Sequence, residues 1–187
     1  NYGESFPIDA ALREGTIIAF AQNGEPLTAS HGAPARVLVP GIYGMKNVKW
    51  VERIEFVRED YRGYWQERGW SDVAIIKTMS RIDTDVATEL GDGRWAIGGI
   101  AYAGLRGIAA VQVSVDRGGS WIDALVEPAA NELSWNRWAV VLDAGVVPTV
   151  VGASLEVRVR AVDGSGAVQT DVVTQPLPDG ASGHHRV

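Results

Sequence analysis

Four basic side chains, His31, Arg36, Lys46 and Lys49, lie close together in the sequence between Gly24 and Trp50. They alternate with glycine and proline residues that constrain the backbone, and His31, Arg36 and Lys49 are the candidates for binding. Arginine offers a planar fork of N–H donors to a phosphate or carboxylate, and lysine adds a point charge. The residue types therefore indicate a clamp for an anionic group. The alternative is structural, since surface cations are common and often only fix a loop or contact solvent.

The elements that must position these cations are short strands and tight turns. The apolar run VLV predicts a buried strand over residues 36–39, with proline on both sides. Residues 17–21 predict a second buried strand, and the Asn23-Gly24 pair predicts a tight turn after it. The cations then lie on loops at the ends of a rigid strand, where binding residues are often placed.

The stretch from Asn23 to Trp50, NGEPLTASHGAPARVLVPGIYGMKNVKW, resembles the signature of the sulfite oxidase family of molybdopterin oxidoreductases. The family pattern runs NG-x-PL, HG-x-P-x-R, V-PG-x-x-G and VKW, and this sequence keeps every element of it. The family positions that contact the molybdopterin match His31, Arg36, Asn47, Val48 and Lys49. The resemblance therefore implies a molybdenum–molybdopterin cofactor, whose terminal phosphate needs cationic donors and free backbone N–H groups.

The chain contains no cysteine. Members of the family bind molybdenum through a cysteine thiolate, which lies upstream of the HG-x-P-x-R stretch, as well as through the dithiolene of the cofactor. The resemblance therefore implies that this chain is a C-terminal fragment of a longer enzyme. We expect it to provide no metal ligand and to be inactive alone.

An aromatic and charged segment follows, EDYRGYWQERGW, which predicts a short helix or an ordered loop. Its Tyr64, Trp65 and Trp70 are candidates for a substrate pocket, although aromatic clusters more often form core. Family members that oxidise sulfite have a tyrosine where this chain has Trp70, and a substrate-binding arginine where it has Leu177. Sulfite is a small dianion that needs cationic partners. These two differences count against sulfite as the substrate.

The second half of the chain shows short alternating strands separated by turn residues. Strands are predicted over residues 95–103, 111–115, 138–142, 155–161 and 168–173, with another at Trp121. The period-2 alternation places one set of aliphatic side chains on a single inward face. This set is Val111, Val113, Val115, Leu155, Val157 and Val159. Strands at this spacing are typical of an antiparallel sandwich.

The predicted fold is mainly β with short helices, in two domains. Residues 1–78 resemble an α+β remnant of the molybdopterin-binding domain, with a short helix within residues 1–16 and a strand over residues 53–58. Residues 79–187 resemble the immunoglobulin-like antiparallel β-sandwich that mediates dimerisation in the family. At the C-terminus, His184 and His185 are read either as metal ligands, as a frayed strand, or as the HRV-like strand start of the family.

Composition excludes some classes of partner. The formal net charge of -6 does not fit a nucleic-acid-binding surface. No apolar run approaches the roughly 20 residues of a membrane helix, and no signal peptide opens the chain.

The leading hypothesis is the C-terminal part of a molybdopterin-dependent oxidoreductase. By resemblance, the intact enzyme would carry out two-electron chemistry, such as oxygen-atom transfer at molybdenum. It would be a homodimer through its sandwich and would need an electron-transfer partner that the sequence does not identify. The alternative is a non-catalytic β-sandwich module for binding or assembly, whose first unit no longer binds cofactor. The missing cysteine favours that alternative, and the intact HG-x-P-x-R motif argues against it.

Overall fold

The computed structural model describes residues 2–83, 88–146 and 155–187. It confirms a mainly β protein with short helices. The strands are β1 (Ile17–Ala19), β2 (Ala21–Gln22), β3 (Glu25–Pro26), β4 (Arg36–Leu38), β5 (Met79–Ile82), β6 (Thr88–Glu89), β7 (Trp95–Tyr102), β8 (Ile108–Ser114), β9 (Ile122–Asp123), β10 (Leu125–Val126), β11 (Asn136–Leu142), β12 (Arg158–Asp163) and β13 (His185–Arg186). The helical segments are an α-helical turn, Ile8–Ala11, and 3-10 turns at Ala29–His31, Gly44–Lys46, Gln66–Arg68 and Gly104–Arg106. None of the described helices has the length and apolar character needed to cross a membrane.

The chain divides into two compact units. Unit 1 contains Asn1–Ile76 and Pro176–Gly180, and unit 2 contains Lys77–Gln175 and Ala181–Val187. A five-residue segment near the C-terminus therefore belongs to the first unit. The sequence carries no local signal for that return, because membership of a unit depends on contacts between distant residues.

Unit 1 is built from short pairings around a small core. β1 pairs with β4 in antiparallel fashion, and β2 pairs with β3. Asn23 and Gly24, which join β2 to β3, both have positive φ, 53° and 83°. This is the geometry of a two-residue hairpin turn and confirms the predicted turn. The core is formed by Ala10, Val37, Val39 and Ile42, with Phe6 and Val51 packed against it.

Two predictions for unit 1 are wrong. The strand predicted as buried over residues 17–21 ends at Ala19, and the side chains of Ile17 and Ile18 are about half-exposed. β1 pairs with β4 alone, so much of its surface remains in solvent. The strand predicted over residues 53–58 is absent from the structure, which shows an exposed segment without strand pairing there. Alternation alone does not form a strand when no partner accepts its backbone hydrogen bonds.

Unit 2 consists of two antiparallel sheets that share one core. The first has the order β10-β11-β7-β5, with β6 also paired to β7, and the second has the order β13-β12-β8-β9. The core combines residues of both sheets: Ile82, Ile97, Ala101, Val111, Val113, Trp138, Val140, Leu142, Val157, Val159 and Ala161. This is the packing of a β-sandwich.

The predicted inward face of unit 2 is confirmed. Four of the six side chains, Val111, Val113, Val157 and Val159, are buried in the core, while Val115 and Leu155 are partly buried and pack against it.

The packing of the buried Trp138 depends on a neighbouring glycine that has no Cβ atom. A Cβ at Gly99 would lie 2.9 Å from Cζ2 of Trp138, so glycine allows the buried indole to pack against β7.

The strand predicted over residues 168–173 is also wrong. The structure shows one isolated bridge there, between Val162 and Val168, and the following valines are exposed. Two backbone hydrogen bonds flank this bridge, from the Asp163 N–H to the Ala167 carbonyl (3.0 Å) and from the Gln169 N–H to the Ala161 carbonyl (2.8 Å), and a side chain adds further connections. The buried amide of Gln169 accepts hydrogen bonds from the Ser80 hydroxyl (2.7 Å) and the Ala161 N–H (3.0 Å). It donates one to the Gly183 carbonyl (2.8 Å).

The C-terminal histidines are part of unit 2. His185 lies in β13, which pairs with β12, and its Nδ1 accepts a hydrogen bond from the Ile82 N–H at 3.1 Å. Nε2 of His184 lies 3.0 Å from the Gln169 carbonyl. The frayed tail is therefore wrong and the strand start is confirmed. Among the described residues, no three His, Cys, Asp or Glu side chains are grouped to hold a metal ion.

A buried carboxylate, Asp163, fixes the end of β12. Its side chain is 2% exposed and accepts hydrogen bonds from the Thr78 hydroxyl (2.8 Å), the Arg106 guanidinium (2.8 Å) and the Ser165 hydroxyl (2.6 Å). The backbone N–H groups of Ser165 and Ala167 also donate to it. Burial raises the pKa of Asp163, but the hydrogen bonds from Ser165, Arg106 and Thr78 outweigh it, so the pKa lies well below its usual value.

Substitution Asp163→Asn is expected to lower the free energy of unfolding of unit 2 by about 1–3 kcal/mol at neutral pH. The amide loses the charge that Arg106 faces and brings an extra N–H group into a ring of donors. Because the folded pKa is depressed, the wild-type contribution is present above the unfolded value near 3.8 and is lost as pH falls toward the folded value. Urea unfolding at several pH values measures both effects.

The matched control is Asp92→Asn, which removes an exposed carboxylate that lies 3.0 Å from Arg94. Exposed pairs contribute little because solvent screens them, so this loss should be much smaller than that of Asp163→Asn. Equal losses for the two variants would show that Asp163 does not act as a buried anchor.

Candidate functional site

The candidate site is built around the 3-10 turn Ala29–His31 and the glycine that ends it. The Thr28 carbonyl accepts hydrogen bonds from the N–H groups of His31, Gly32 and Ala33, which closes the turn. Gly32 adopts φ 109° and ψ 21°, a left-handed conformation that favours glycine. A Cβ at this position would lie 3.0 Å from Cβ of Lys49 and 3.1 Å from Cβ of Arg36. The missing side chain of Gly32 thus lets two distant cationic residues meet.

The segment 47–51 runs beside β4 and carries Lys49 to this position. The Val37 N–H donates to the Val48 carbonyl at 2.9 Å, and the Trp50 N–H donates to the Gly32 carbonyl at 3.2 Å. Oδ1 of Asn47 accepts a hydrogen bond from the Val39 N–H. The structure therefore brings together all five residues that the signature indicates: His31, Arg36, Asn47, Val48 and Lys49. Their role in binding stays a prediction.

Three side chains hold the turn from outside. The carbonyls of three successive residues accept one hydrogen bond each: Ala29 from the Trp50 indole (2.8 Å), Ser30 from Nζ of Lys49 (2.8 Å) and His31 from the Arg36 guanidinium (3.2 Å). His31 itself places Nδ1 2.7 Å from the Thr28 hydroxyl. The cations therefore have a structural role, as the alternative reading of the sequence requires.

One donor in this group has no partner. Nε of Arg36 is buried, and it makes no hydrogen bond to any residue that the structure describes. Buried N–H groups are nearly always paired, and an unpaired one costs about 1–3 kcal/mol. A bound anion would satisfy this donor. Lys49 is exposed and adds positive charge at the same place, and the His31 side chain is exposed as well.

The other lysine of this stretch is not part of the group. Lys46 is buried, and its Nζ donates to the Ser5 carbonyl and to Oδ1 of Asp72, both at 2.7 Å. It contributes to the interior of unit 1. Residue type alone does not separate Lys46 from Lys49, whereas the resemblance to the family signature selects Lys49.

The predicted pocket residues form a row of aromatic rings. Trp65 contacts Tyr64 at 5.1 Å and Trp70 at 5.9 Å between ring centroids, in both cases edge to face. Arg68 lies 3.5 Å over the exposed ring of Tyr64. The structure thus brings Tyr64, Trp65 and Trp70 together, with both tryptophans partly buried. Lining of a substrate pocket stays a prediction.

The N-terminal segment, which the sequence did not single out, contacts this row. The Tyr2 ring lies 6.1 Å from Tyr64, and its hydroxyl donates to the Met45 carbonyl. Oε2 of Glu4 is buried without a hydrogen-bond partner among the described residues. Burial is the main cause that raises the pKa of Glu4 above its usual value. Neither residue lies in a recognisable motif, so only the fold shows their proximity.

The segment that carries Leu177 returns to the end of the aromatic row. The Ser71 N–H donates to the Pro178 carbonyl at 2.7 Å, directly after Trp70 in the chain. Leu177 itself is exposed. The two positions at which this chain differs from sulfite-oxidising members are therefore brought near each other in unit 1.

Comparison with known proteins covers both units. Residues 1–65 match the family described as "Oxidoreductase molybdopterin binding domain", and residues 71–178 match the one described as "Mo-co oxidoreductase dimerisation domain". Mitochondrial sulfite oxidase from Macaca fascicularis is 30% identical over 198 residues, which cover 92% of this chain and 35% of that protein. Sulfite oxidase from Arabidopsis thaliana is 29% identical over 182 residues, covering 84% and 46%.

A solved structure is also similar. The sulfane dehydrogenase SoxCD from Paracoccus pantotrophus superposes with a TM-score of 0.68 at 28% identity, covering 88% of this chain and 44% of that one. In each of these three comparisons the chain spans less than half the length of its relative.

Substitution Gly32→Ala is expected to destabilise unit 1 by about 1–3 kcal/mol, because the added Cβ would overpack against Arg36 and Lys49. The control is Gly24→Ala, which also has a positive φ, 83°, but has no atom within 4 Å of its Cβ position. That change tests the backbone cost alone. Urea unfolding followed by tryptophan fluorescence measures both, and a Gly32→Ala loss no larger than the control would contradict the close packing.

Proposed function

The chain belongs to the sulfite oxidase family of molybdopterin oxidoreductases, and we propose that its first unit binds the phosphate end of the molybdopterin cofactor. The proposed binding residues are His31, Arg36, Asn47, Val48 and Lys49. On this proposal the chain is the cofactor-anchoring and dimerising part of an oxidoreductase.

The observation that carries the proposal is the buried, unpaired Nε of Arg36. Its guanidinium already donates to the His31 carbonyl, which fixes the plane of the fork. A phosphate oxygen that accepted from Nε would complete the hydrogen bonding of that fork. A purely structural arginine would be expected to have this donor satisfied by protein.

The surrounding residues fit an anion in charge as well as in geometry. Lys49 is exposed and fixed through the Ser30 carbonyl, and His31 is exposed beside it. Because backbone hydrogen bonds and Gly32 fix these side chains in advance, little side-chain entropy would be lost on binding. Val48 and Asn47 act by pairing with β4, which keeps Lys49 in register with Arg36.

The residues fit the phosphate end of the cofactor but not its metal. The sequence has no cysteine, so a thiolate to molybdenum would have to come from outside these 187 residues. When bound, the cofactor supplies two-electron redox chemistry of the oxygen-atom-transfer type. This chain would bind and orient it through Arg36 and Lys49. We expect the 187 residues alone to show no oxidoreductase activity.

On the substrate side, we propose that Tyr64, Trp65 and Trp70 form an aromatic wall. Trp70 offers an indole N–H in place of a phenol, and Leu177 offers no charge in place of an arginine. Such a wall favours a substrate with less negative charge than sulfite. The relatives compared above are named for sulfite in two cases and for sulfane in the third.

We also propose a homodimer formed by unit 2, because residues 71–178 match a dimerisation family. The electron acceptor would be a separate partner. The second candidate function is an assembly module without cofactor, and the observation in its favour is the absence of cysteine from the sequence.

Substitution Arg36→Ala is expected to weaken pterin binding about ten- to a hundredfold, since a charge-assisted hydrogen bond contributes about 1.5–3 kcal/mol. Arg36→Lys keeps the charge but not the fork and should lose an intermediate amount. The measurement is pterin and molybdenum content per chain after dialysis, in the intact enzyme purified from a host that makes the cofactor; in the 187 residues alone the same change should alter little. Circular dichroism checks that each variant is folded.

The matched control is Arg53→Ala, which removes an exposed arginine of the same unit that pairs with Glu55 at 3.2 Å. It should leave pterin content unchanged. An Arg36→Ala protein that keeps wild-type pterin content would make Arg36 structural and defeat the anion clamp. Wild-type protein that contains no pterin would favour the assembly module.

A further inference from the structure

A buried carboxyl oxygen and a buried amide oxygen face each other in unit 1. Oε2 of Glu4 and Oε1 of Gln66 are both buried, and neither has a hydrogen-bond partner among the described residues. Both atoms lie 2.7 Å from the same point, the position that a Cβ of Gly63 would occupy, and the Gly3 carbonyl oxygen lies 2.5 Å from it. Acceptors without donors therefore meet at one place in the interior.

Such a pair of oxygens is unfavourable unless a proton lies between them. Buried polar groups in folded proteins are nearly always hydrogen-bonded, because an unpaired one loses its water without compensation. An ionised carboxylate only accepts hydrogen bonds, so it cannot satisfy the Gln66 oxygen. A protonated carboxyl has an O–H donor. One proton on Oε2 of Glu4 would satisfy both oxygens.

The Gln66 amide is oriented from its other end. Its Nε2 donates to the Ser71 carbonyl at 3.4 Å, which leaves Oε1 on the side of Glu4. Turning the amide over would place Nε2 toward Glu4 and Oε1 against the Ser71 carbonyl, which is also an acceptor. The amide therefore has two arrangements. The first requires a neutral Glu4 and the second an ionised one.

The same amide lies within the aromatic row. Gln66 begins the 3-10 turn Gln66–Arg68, which lies between Trp65 and Trp70 in the chain. The Trp70 N–H donates to the Trp65 carbonyl at 3.1 Å, and Ser71 directly follows Trp70. The orientation of the amide is therefore coupled to the segment that holds both indole rings.

The cation that acts on Glu4 is already paired. Nζ of Lys46 donates to Asp72 and to the Ser5 carbonyl, both at 2.7 Å. The Tyr2 hydroxyl has one proton to share between Oε1 of Glu4, at 3.1 Å, and the Met45 carbonyl. Neither group satisfies Oε2 of Glu4.

Burial has the largest effect on the pKa of Glu4 and raises it above its ordinary value. It outweighs four groups that favour the ionised form, namely the Tyr2 hydroxyl, the charge of Lys46 and the N–H groups of Trp65 and Gln66. The balance of burial and charge thus agrees with a carboxyl that keeps its proton.

The other titratable groups around this place belong to residues 61–68. The Ser5 hydroxyl donates to the Tyr61 carbonyl at 2.7 Å, and the Tyr64 N–H donates to the Gly3 carbonyl at 3.3 Å. The remaining charged side chains of this segment are directed elsewhere or exposed: Arg62 donates to the Gln66 carbonyl, Arg68 covers the Tyr64 ring and Glu67 is exposed. Among the described residues, none of them donates to Oε2 of Glu4.

We propose that Glu4 is a positioning residue that holds a proton in the folded chain and donates a hydrogen bond from Oε2 to Oε1 of Gln66. The proton keeps the amide in the arrangement that donates to the Ser71 carbonyl. When Glu4 releases the proton to solvent, the amide turns over, donates to the carboxylate and leaves Ser71, so the segment of Trp70 is freed. The effect on a substrate rests on the aromatic wall of the proposed function, whereas the proton and the amide do not.

The test is a pH titration of the chain by NMR, with carbon-13 in the glutamate carboxyls and nitrogen-15 in the glutamine amides and tryptophan indoles. The Glu4 signal is the one absent from Glu4→Gln. We expect it to titrate above the ordinary value near 4.5, because burial disfavours the charged form. The Gln66 amide and Trp70 indole signals should move with the same midpoint in wild type. In Glu4→Gln they should not move in this pH range.

Glu4→Gln is also the rescue variant, since a neutral amide can donate to Gln66 and accept from Tyr2. Because the folded pKa of Glu4 is raised, its contribution to the free energy of unfolding is fully present below the unfolded value and is lost as pH rises through the folded value. Urea unfolding should show this loss in wild type and not in Glu4→Gln. Glu4→Ala leaves the Gln66 oxygen without a donor and should be less stable than Glu4→Gln at every pH. The matched control is Glu14→Gln, an exposed acid of the same unit, which should behave as wild type.

A Glu4 signal that titrates at or below the ordinary value would overturn the proposal, since the carboxylate would then be ionised in the folded chain. A Glu4→Gln chain that does not fold would also overturn it, because a neutral isostere must be tolerated where a neutral acid is. A raised midpoint without movement of the Gln66 signals would overturn the role of the amide and assign the hydrogen bond to a bound water. None of these measurements uses substrate or cofactor, so their failure would leave the cofactor anchor and the aromatic wall standing.

Discussion

The candidate site depends on the close approach of Arg36 and Lys49 at a residue without a side chain. Gly32 ends its turn in a left-handed conformation, and both Cβ atoms lie about 3 Å from where its own Cβ would be. Residues 13 positions apart can therefore donate to carbonyls of the same turn. The site thus consists of a constrained backbone with cations fixed against it, and not of cations alone on a flexible loop.

The cations at this site act both structurally and, on our proposal, in binding. Lys49 and Arg36 each satisfy a backbone carbonyl, which accounts for their place in the fold without any ligand. This structural role does not explain why Nε of Arg36 is buried without a hydrogen-bond partner among the described residues. A group that is fixed by one hydrogen bond and has another donor free is preorganised for an anion, because the cost of ordering it has already been met on folding.

Unit 2 has a different physical basis. Its two sheets share an aliphatic core, and the end of β12 is fixed by Asp163, which accepts hydrogen bonds from three side chains and two backbone groups. A rigid sandwich of this kind presents two outer faces whose compositions are independent of the core. One is apolar and neutral by pairing, and the other carries three arginines.

The sequence by itself determined the family, the mainly β fold, the turn at Asn23-Gly24 and the inward valines of unit 2. These follow from fixed residue types at fixed spacing or from a period-2 pattern, which are local properties. It failed for residues 53–58 and 168–173, where alternation exists but no neighbouring strand accepts a full ladder. It also could not show that Lys46 is buried, or place Tyr2 beside Tyr64. Only the tertiary structure decided these points and the unpaired donor of Arg36, because each depends on which distant residues meet.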